Sequence, residues 1–373
     1  NVCTLFEEEY NADIKRLDNT YQYWLITKHS SGKILESLKE VEAKKDQYHM
    51  FYEQLRQQVS SQIVAIIEDF YNQNQPLYAN RYELAPADSL IWNELRKNPI
   101  DIQNTFYIGE DVFSFNILKD VIPFRIRMYT HTLCGGNLQL IYNRQYMASC
   151  YGIANTMISR MLMSVPNGGI NIYMVDLHEK EGSSNAFKNL NKNTYRIISR
   201  HDELISLLNN VSIHIENVIQ NLLKDDITSL SDYNKGKTNK EAYQLIVLKD
   251  VPIGYNSEVW VKLSEIMYNG PRAGVSVILL VNDDVVNGSE EMQKGYHHLQ
   301  NAIKNSPYET LNLITQELPS QLSHTNHSLR FDILSSQHIS DIVKRVNQDM
   351  EMKEETVLHY TDYMLPEKEW WTG

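Results

Sequence analysis

The chain has 373 residues, 42% of them hydrophobic, with 35 basic and 47 acidic side chains for a net charge of −12. That is enough apolar material for one large or two medium domains with proper cores, and it excludes a disordered chain. The acidic balance argues against a broad nucleic-acid-binding surface, which needs clustered Lys and Arg facing phosphate.

Cys3, Cys134 and Cys150 are far apart and show no CxxC pairing. They fit a reducing compartment and supply neither a disulfide framework nor a zinc site. No apolar run approaches the roughly 20 residues of a membrane span, and the start carries no signal-peptide pattern, so the expectation is a cytoplasmic protein with no membrane partner. The chain begins at Asn1 without methionine and ends at Trp370-Trp371-Thr372-Gly373, which suggests a piece of something longer.

Residues 5 to about 72 read as helix, almost free of Gly and Pro and rich in Glu, Lys, Gln and Leu. Ile34, Leu38, Val41, Tyr48, Tyr52, Leu55 and Val59 recur in steps of three and four, with Lys45 in the one gap, and form a coiled-coil-like seam. Ile14, Leu17, Tyr21 and Trp24 make a similar seam before it. Ser30-Ser31-Gly32 between the two fits either a kink or the turn of a helical hairpin, and the whole fits a free coiled-coil arm as well as a helical subdomain packed on the body. Asn72 to Pro76 ends the helical region with turn formers. A short helix containing Trp92 and Leu95 is expected over Pro86 to Ile100, then extended pieces at Thr105 to Ile108 and Val121 to Phe124.

From Leu138 the pattern becomes α/β. The apolar run Leu138 to Tyr142, a helix-length segment from Tyr146 to Val165 and the run Ile170 to Asp176 predict a parallel βαβ unit. Strands are expected at Tyr195 to Ile198, Tyr243 to Asp250 and Val275 to Val281. Helices are expected at Asp202 to Lys224, with Asp202 as cap, and at Ser257 to Asn269. Ser289 to Asn305 and Ile339 to Met352 read as helices around a strand at Leu329 to Phe331, and the residues after Glu351 read as extended. The expected layout is a helical arm over 1–75, a connecting helix and small β element over 76–130, an α/β domain with helices on both faces of a parallel sheet over 131–350, and an extended linker over 351–373.

The turn Asn143 to Tyr151 sits where the first turn of a nucleotide-binding βαβ unit holds phosphates. Such a turn needs glycines, a lysine and a hydroxyl for Mg²⁺, and none falls in place here. Arg144 could meet an anion at the helix N-terminus, but a lone loop arginine is more often solvated. Asp176 and Asp250 both end apolar strands, where paired acids can hold a metal or polarise water; capping of the following turn is the simpler reading. His297-His298 and His324 with His327 read as surface histidines, so no metal site is assigned. Arg272, in Gly270-Pro271-Arg272-Ala273-Gly274, can reach across a subunit boundary toward a phosphate, although a structural bond to a carbonyl is the default.

Taken together, Ile170 to Asp176, Glu216-Asn217-Val218-Ile219-Gln220, Leu230-Ser231-Asp232-Tyr233-Asn234, Asp250-Val251-Pro252 and Gly270 to Val275 resemble the RecA-like motor domains of the FtsK/SpoIIIE family of DNA-translocating ATPases. The resemblance spans about Pro99 to Val281 and is to the large members with an N-terminal coiled coil and tandem motor domains. It implies a RecA-like P-loop NTPase-type fold. On the family's phosphate-loop pattern the first glycine falls on Arg144, the second on Ser149, the lysine on Cys150 and the hydroxyl on Tyr151. The acid of the second motif matches Asp250, but its catalytic glutamate falls on Val251. Pro366 and Trp370-Trp371 stand where, in the family, the next motor domain is about to begin.

The expectation is therefore a degenerate, non-catalytic RecA-like module acting in assembly, with no catalytic residue and no cofactor; ATP-Mg would bind only if the degenerate site stayed competent. Expected partners are proteins recruited by the arm and an adjacent active motor domain or further copies, with DNA contacted indirectly at most. The alternatives are a live ATPase completed by Arg144, Asp176 and Asp250, and a stand-alone coiled-coil interaction protein.

Overall fold

A computed structural model describes residues 2–26, 32–78, 81–93, 102, 104–117, 120–166, 168–178, 186–224, 226–237, 240–315 and 327–362. The chain falls into two compact units, one from Asn1–Leu77 and Val112–Ile126, the other from Tyr78–Asp111 and Arg127–Gly373.

The first unit contains α1 (Val2–Ile26) and α2 (Gly32–Tyr78). Tyr10 stacks on Tyr52 with ring centroids 3.9 Å apart, and its hydroxyl lies 2.6 Å from His49 Nδ1. Asp18 pairs with Lys45, and Tyr21 bonds Glu42. Partner numbers fall along α2 as they rise along α1, so the helices form an antiparallel hairpin. Lys45, the gap in the apolar seam, is thus matched by a carboxylate. Tyr52 is buried in the seam, but Tyr48 lies half exposed outside it. The connection at 27–31, with Ser30 and Ser31, lies outside the described residues. α2 also runs past Asn72 to Pro76, because proline's fixed φ is itself helical and costs one hydrogen bond near the end.

In the second unit six parallel strands form one sheet: β3 (Asn137–Tyr142), β4 (Ile170–Val175), β5 (Tyr195–Ile198), β6 (Tyr243–Val251), β7 (Val275–Asn282) and β8 (Tyr308–Asn312), in the order β5-β4-β6-β7-β3-β8. The four inner strands, β3, β4, β6 and β7, are largely apolar runs, as a sheet covered on both faces requires. The crossover β3 to β4 passes through α3 (Met147–Ser164); β5 to β6 and β6 to β7 step back through α4 (His201–Asn217) and α6 (Ser257–Asn269). Right-handed crossovers in opposite directions put α3 on one face and α4 and α6 on the other. α9 (Ser336–Asp362) packs on α3, and α8 (Glu290–Ile303) packs on α6. Two short helices, α5 (Leu230–Asn234) and α7 (Asp283–Val286), lie in connections. β1 (Thr105–Ile117), β2 (Asp120–His131) and β9 (His327–Phe331) make a separate three-stranded sheet in the order β2-β1-β9.

The expected α/β class holds, with several differences in detail. The Trp92 helix is a short 3₁₀ turn, Leu90–Asn93, and Leu95 lies outside the described residues. α4 begins after Arg200 with no side-chain cap, and Asp202 lies inside its first turn, where its charge meets the positive helix end. The residues after Glu351 continue α9 as helix to Asp362 rather than running extended, because Glu, Met, Lys and Leu follow without Gly or Pro. β8 was not anticipated.

Every residue of α3 from Thr156 to Ser164 is buried, Arg160 among them at 0% exposure. Arg160 donates through Nη1 to the Tyr82 carbonyl at 3.0 Å and to the Ala85 carbonyl, and through Nη2 to the Asp332 carboxylate. Its guanidinium lies 5.5 Å from the ring centroids of both Trp92 and Tyr107. Asp332 also accepts from Ala87 N at 3.0 Å. Burial lowers the Arg160 pKa to about 10, so it stays charged at neutral pH. Arg160→Ala leaves the Asp332 carboxylate without its cation; chemical denaturation is expected to show a loss of about 3–5 kcal/mol.

Candidate functional site

The site is the turn from β3 into α3 with the strand ends beside it. β7 lies between β3 and β6, so the turn and the carboxyl end of β6 face each other across one strand.

The backbone donors at the turn are already used. Asn143 accepts on Oδ1 from Gln145 N at 3.1 Å and from Tyr146 N at 3.3 Å. Asp284, from α7, accepts on Oδ2 from Arg144 N at 2.7 Å. These N–H groups are the ones a helix N-terminus would offer to phosphate. Here an amide oxygen and a carboxylate of the chain itself stand in the anion's place.

The acid at the end of β6 is also occupied. Asp250, at φ 49 in the left-handed region that Asp tolerates, accepts on Oδ1 from the Tyr142 hydroxyl at 2.5 Å and from Asn282 Nδ2 at 3.2 Å. The Tyr151 hydroxyl stands 3.5 Å from both carboxylate oxygens and 3.3 Å from the Tyr142 hydroxyl. Burial, then the bond to Asp250, pushes the Tyr142 pKa far up; burial pushes that of Tyr151 up to about 12. Both therefore stay neutral and act as donors. Asp176 Oδ1 lies 3.4 Å from His178 N in the turn that follows, and its Oδ2 is held by Lys249 Nζ at 2.7 Å, so both acids face donors of the chain itself. Lys249 Nζ lies 5.0 Å from the Tyr151 ring centroid. Among the described residues no cluster of His, Cys, Asp and Glu could hold a metal.

Of the sequence-predicted residues, the structure brings Tyr151, Asp250 and Asp176 into this network. Cys150, at the position matched to the lysine, is fully buried, and burial holds its thiol well above its ordinary pKa. Ser149 is half-buried at the start of α3. Arg144 is exposed and only its backbone takes part. Arg272 is elsewhere: its 3₁₀ turn, Gly270–Ala273, precedes β7, whose eight residues span roughly 26 Å. The Arg272 side chain is exposed, and among the described residues it makes no bond to a carbonyl. His297 and His298 are exposed on α8, while His324 lies outside the described residues.

Sequence reasoning missed Tyr142, Asn143, Lys249, Asn282 and Asp284. Asn143 carried the one usable signal, an Asx residue just before a helix. The segment Leu230 to Asn234 has a structural role. Ser229 caps α5 and bonds Asp232, while Asn234 clasps Glu241 through both its amide atoms, to Glu241 O and from Glu241 N, at 2.9 Å each. Gly274, at φ 73, closes beneath it where a Cβ would meet Leu230 at 2.5 Å.

No protein-family description and no curated protein matches the chain. Among solved structures it is similar to EssC (ATPases 2 and 3) from Geobacillus thermodenitrificans, with 13% identity and a TM-score of 0.45 over 70% of this chain and 52% of that one. EccC (ATPases 2 and 3) from Thermomonospora curvata, in complex with a signal sequence peptide, gives 12%, 0.45, 66% and 47%. The pCW3 conjugation coupling protein TcpA, in monomer form with ATPγS, gives 14%, 0.36, 58% and 58%. The chain spans about half the length of the first two.

Two measurements check this geometry. Tyr142→Phe removes the hydroxyl on the Asp250 carboxylate and is expected to cost about 1.5 kcal/mol in denaturant unfolding. Asp232 is held at a pKa of about 2, below its usual 3.8, by Lys235, Thr228 and Ser229. Its contribution is complete above the unfolded value and lost as pH falls from about 4 to about 2. Over that window Asp232→Asn should lose stability less steeply than the parent chain.

Proposed function

We propose that this chain is a non-catalytic, pseudo-ATPase RecA-like module of an FtsK/SpoIIIE-like DNA-translocase type of protein, acting in assembly. The observation that carries this reading is the self-occupied phosphate turn: Arg144 N, Gln145 N and Tyr146 N bond Asp284 and Asn143, while Tyr142 and Asn282 bond Asp250. A phosphate entering this turn would displace a carboxylate from its donor and meet no lysine, because Cys150 fills that position from inside the core. Lys249, the cation nearest Asp176, is committed to that carboxylate, which leaves the exposed Arg144 side chain as the cation of the turn.

In this reading the phosphate turn is a scaffold that fixes α3 against β6. The antiparallel hairpin of α1 and α2 is the recruiting element, and the α/β body stacks beside an active motor domain or a further copy. Contact with DNA is indirect, in keeping with the net charge of −12.

Calorimetric titration of ATP-Mg²⁺ into the chain tests this. The expected result is no saturable heat up to a concentration of about 1 mM. Micromolar binding with hydrolysis that disappears in Asp250→Ala would overturn it in favour of a live ATPase.

A further inference from the structure

The six-stranded sheet ends at β5. Ile172 N donates to Thr194 O at 2.8 Å and Asp176 N to Ile198 O at 2.9 Å, so the even-numbered residues turn their backbone groups toward β4. In a parallel ladder the alternate residues then turn theirs outward. Tyr195 N is taken by Asn191 O at 3.0 Å. Ile197, 39% exposed, keeps its N–H and C=O without a partner among the described residues.

Two further features surround this edge. From Gly182 to His201 the sequence holds Lys188, Lys192, Arg196 and Arg200 and no Asp or Glu, in a chain of net charge −12. All four are exposed. Arg200 is tied to Glu203 at 2.8 Å, while Lys188, Lys192 and Arg196 make no ion pair among the described residues. Beside the strand, under α4, a groove of about 410 Å³ is lined by Tyr173, Arg196, Gln244, Leu207 and Asn210, and also by Asp202 and Glu203, whose carboxylates are both paired with Arg200. Gln244 is buried in its wall with an unpartnered amide oxygen.

We infer that β5 is a docking edge for an extended, acidic polypeptide segment of a partner, which adds to the sheet as a further strand. Its backbone pairs with Ile197, alternate side chains on one side enter the groove under α4, and its carboxylates meet Lys188, Lys192 and Arg196. The basic rim also sets specificity: it repels lysine-bearing strands and protects the edge from indiscriminate pairing. A nucleic-acid backbone satisfies the charges but offers no regular N–H to the Ile197 carbonyl, so a peptide is the better match.

The test is fluorescence anisotropy with a labelled, end-blocked peptide, Glu-Thr-Glu-Val-Glu-Thr-Glu-Val, titrated with the full chain. Three comparison probes are the same peptide with Lys for Glu, the acidic peptide N-methylated at alternate peptide nitrogens, and an oligothymidylate. The acidic peptide is expected to bind and to slow hydrogen exchange at the Ile197 amide. Its affinity should fall about tenfold or more on N-methylation, in Arg196→Glu and in Lys188→Glu/Lys192→Glu, a pair that lies outside the strand. The lysine peptide should not bind. Absence of acidic-peptide binding, equal binding of the N-methylated probe, or binding of oligothymidylate alone would each overturn the inference.

Discussion

The α/β unit depends on a charge buried in the middle of a helix. A guanidinium taken out of water must be met by acceptors, or its desolvation cost goes uncompensated. Arg160 is met by two backbone carbonyls, one carboxylate and two aromatic faces, contributed by the segment from Tyr82 to Trp92, by Tyr107 and by Asp332. Each of these groups is fixed by the arginine and fixes it in turn. Thr156, one turn earlier on α3, adds a bond from Leu334 N at 2.9 Å. The sheet covers one side of α3, and these contacts, together with the packing of α9, close the rest.

A helix held this firmly holds the turn before it. The register of α3 sets where Cys150 and Tyr151 fall: the thiol in the core, the phenol over the end of β6. The donors and acceptors then close among themselves. Three backbone N–H groups at the turn end on Asn143 and Asp284, and the Asp250 carboxylate ends on Tyr142 and Asn282. A nucleotide site needs such groups to be open and pointed at the ligand, whereas a scaffold needs them satisfied. The cleft at the carboxyl ends of the strands has the position of the first and the hydrogen bonding of the second.

Polar groups left open are found at the sheet edge instead. The arm helices satisfy one another by antiparallel pairing, with Asp18 against Lys45 and Tyr10 against Tyr52. At β5 Lys188, Lys192 and Arg196 make no ion pair, and the backbone of Ile197 has no next strand, among the described residues. The strand is short and its rim charged, which is how sheet edges avoid uncontrolled pairing while remaining able to accept one kind of partner.

The sequence by itself determined the class of fold and most of its elements. The apolar runs Leu138 to Tyr142, Ile170 to Val175, Tyr243 to Leu248 and Val275 to Val281 are long enough and apolar enough to be only buried strands, and period and composition are local properties. It also fixed that no glycine or lysine occupies the phosphate turn. What replaces them was decided by tertiary structure. Tyr142 is the last residue of a strand, Asn282 the last of another and Asp284 the second residue of a short helix, and nothing local marks them as neighbours of Asp250 or Arg144. The same holds for Arg160, which in sequence is the one charged residue of a largely apolar helix, and for the hairpin, whose direction follows from pairs such as Asp18 with Lys45, 27 positions apart, and Tyr10 with Tyr52, 42 apart. Hydrogen bonds and ion pairs are made by proximity, and only the packed sheet and its crossover helices bring these groups within reach of one another.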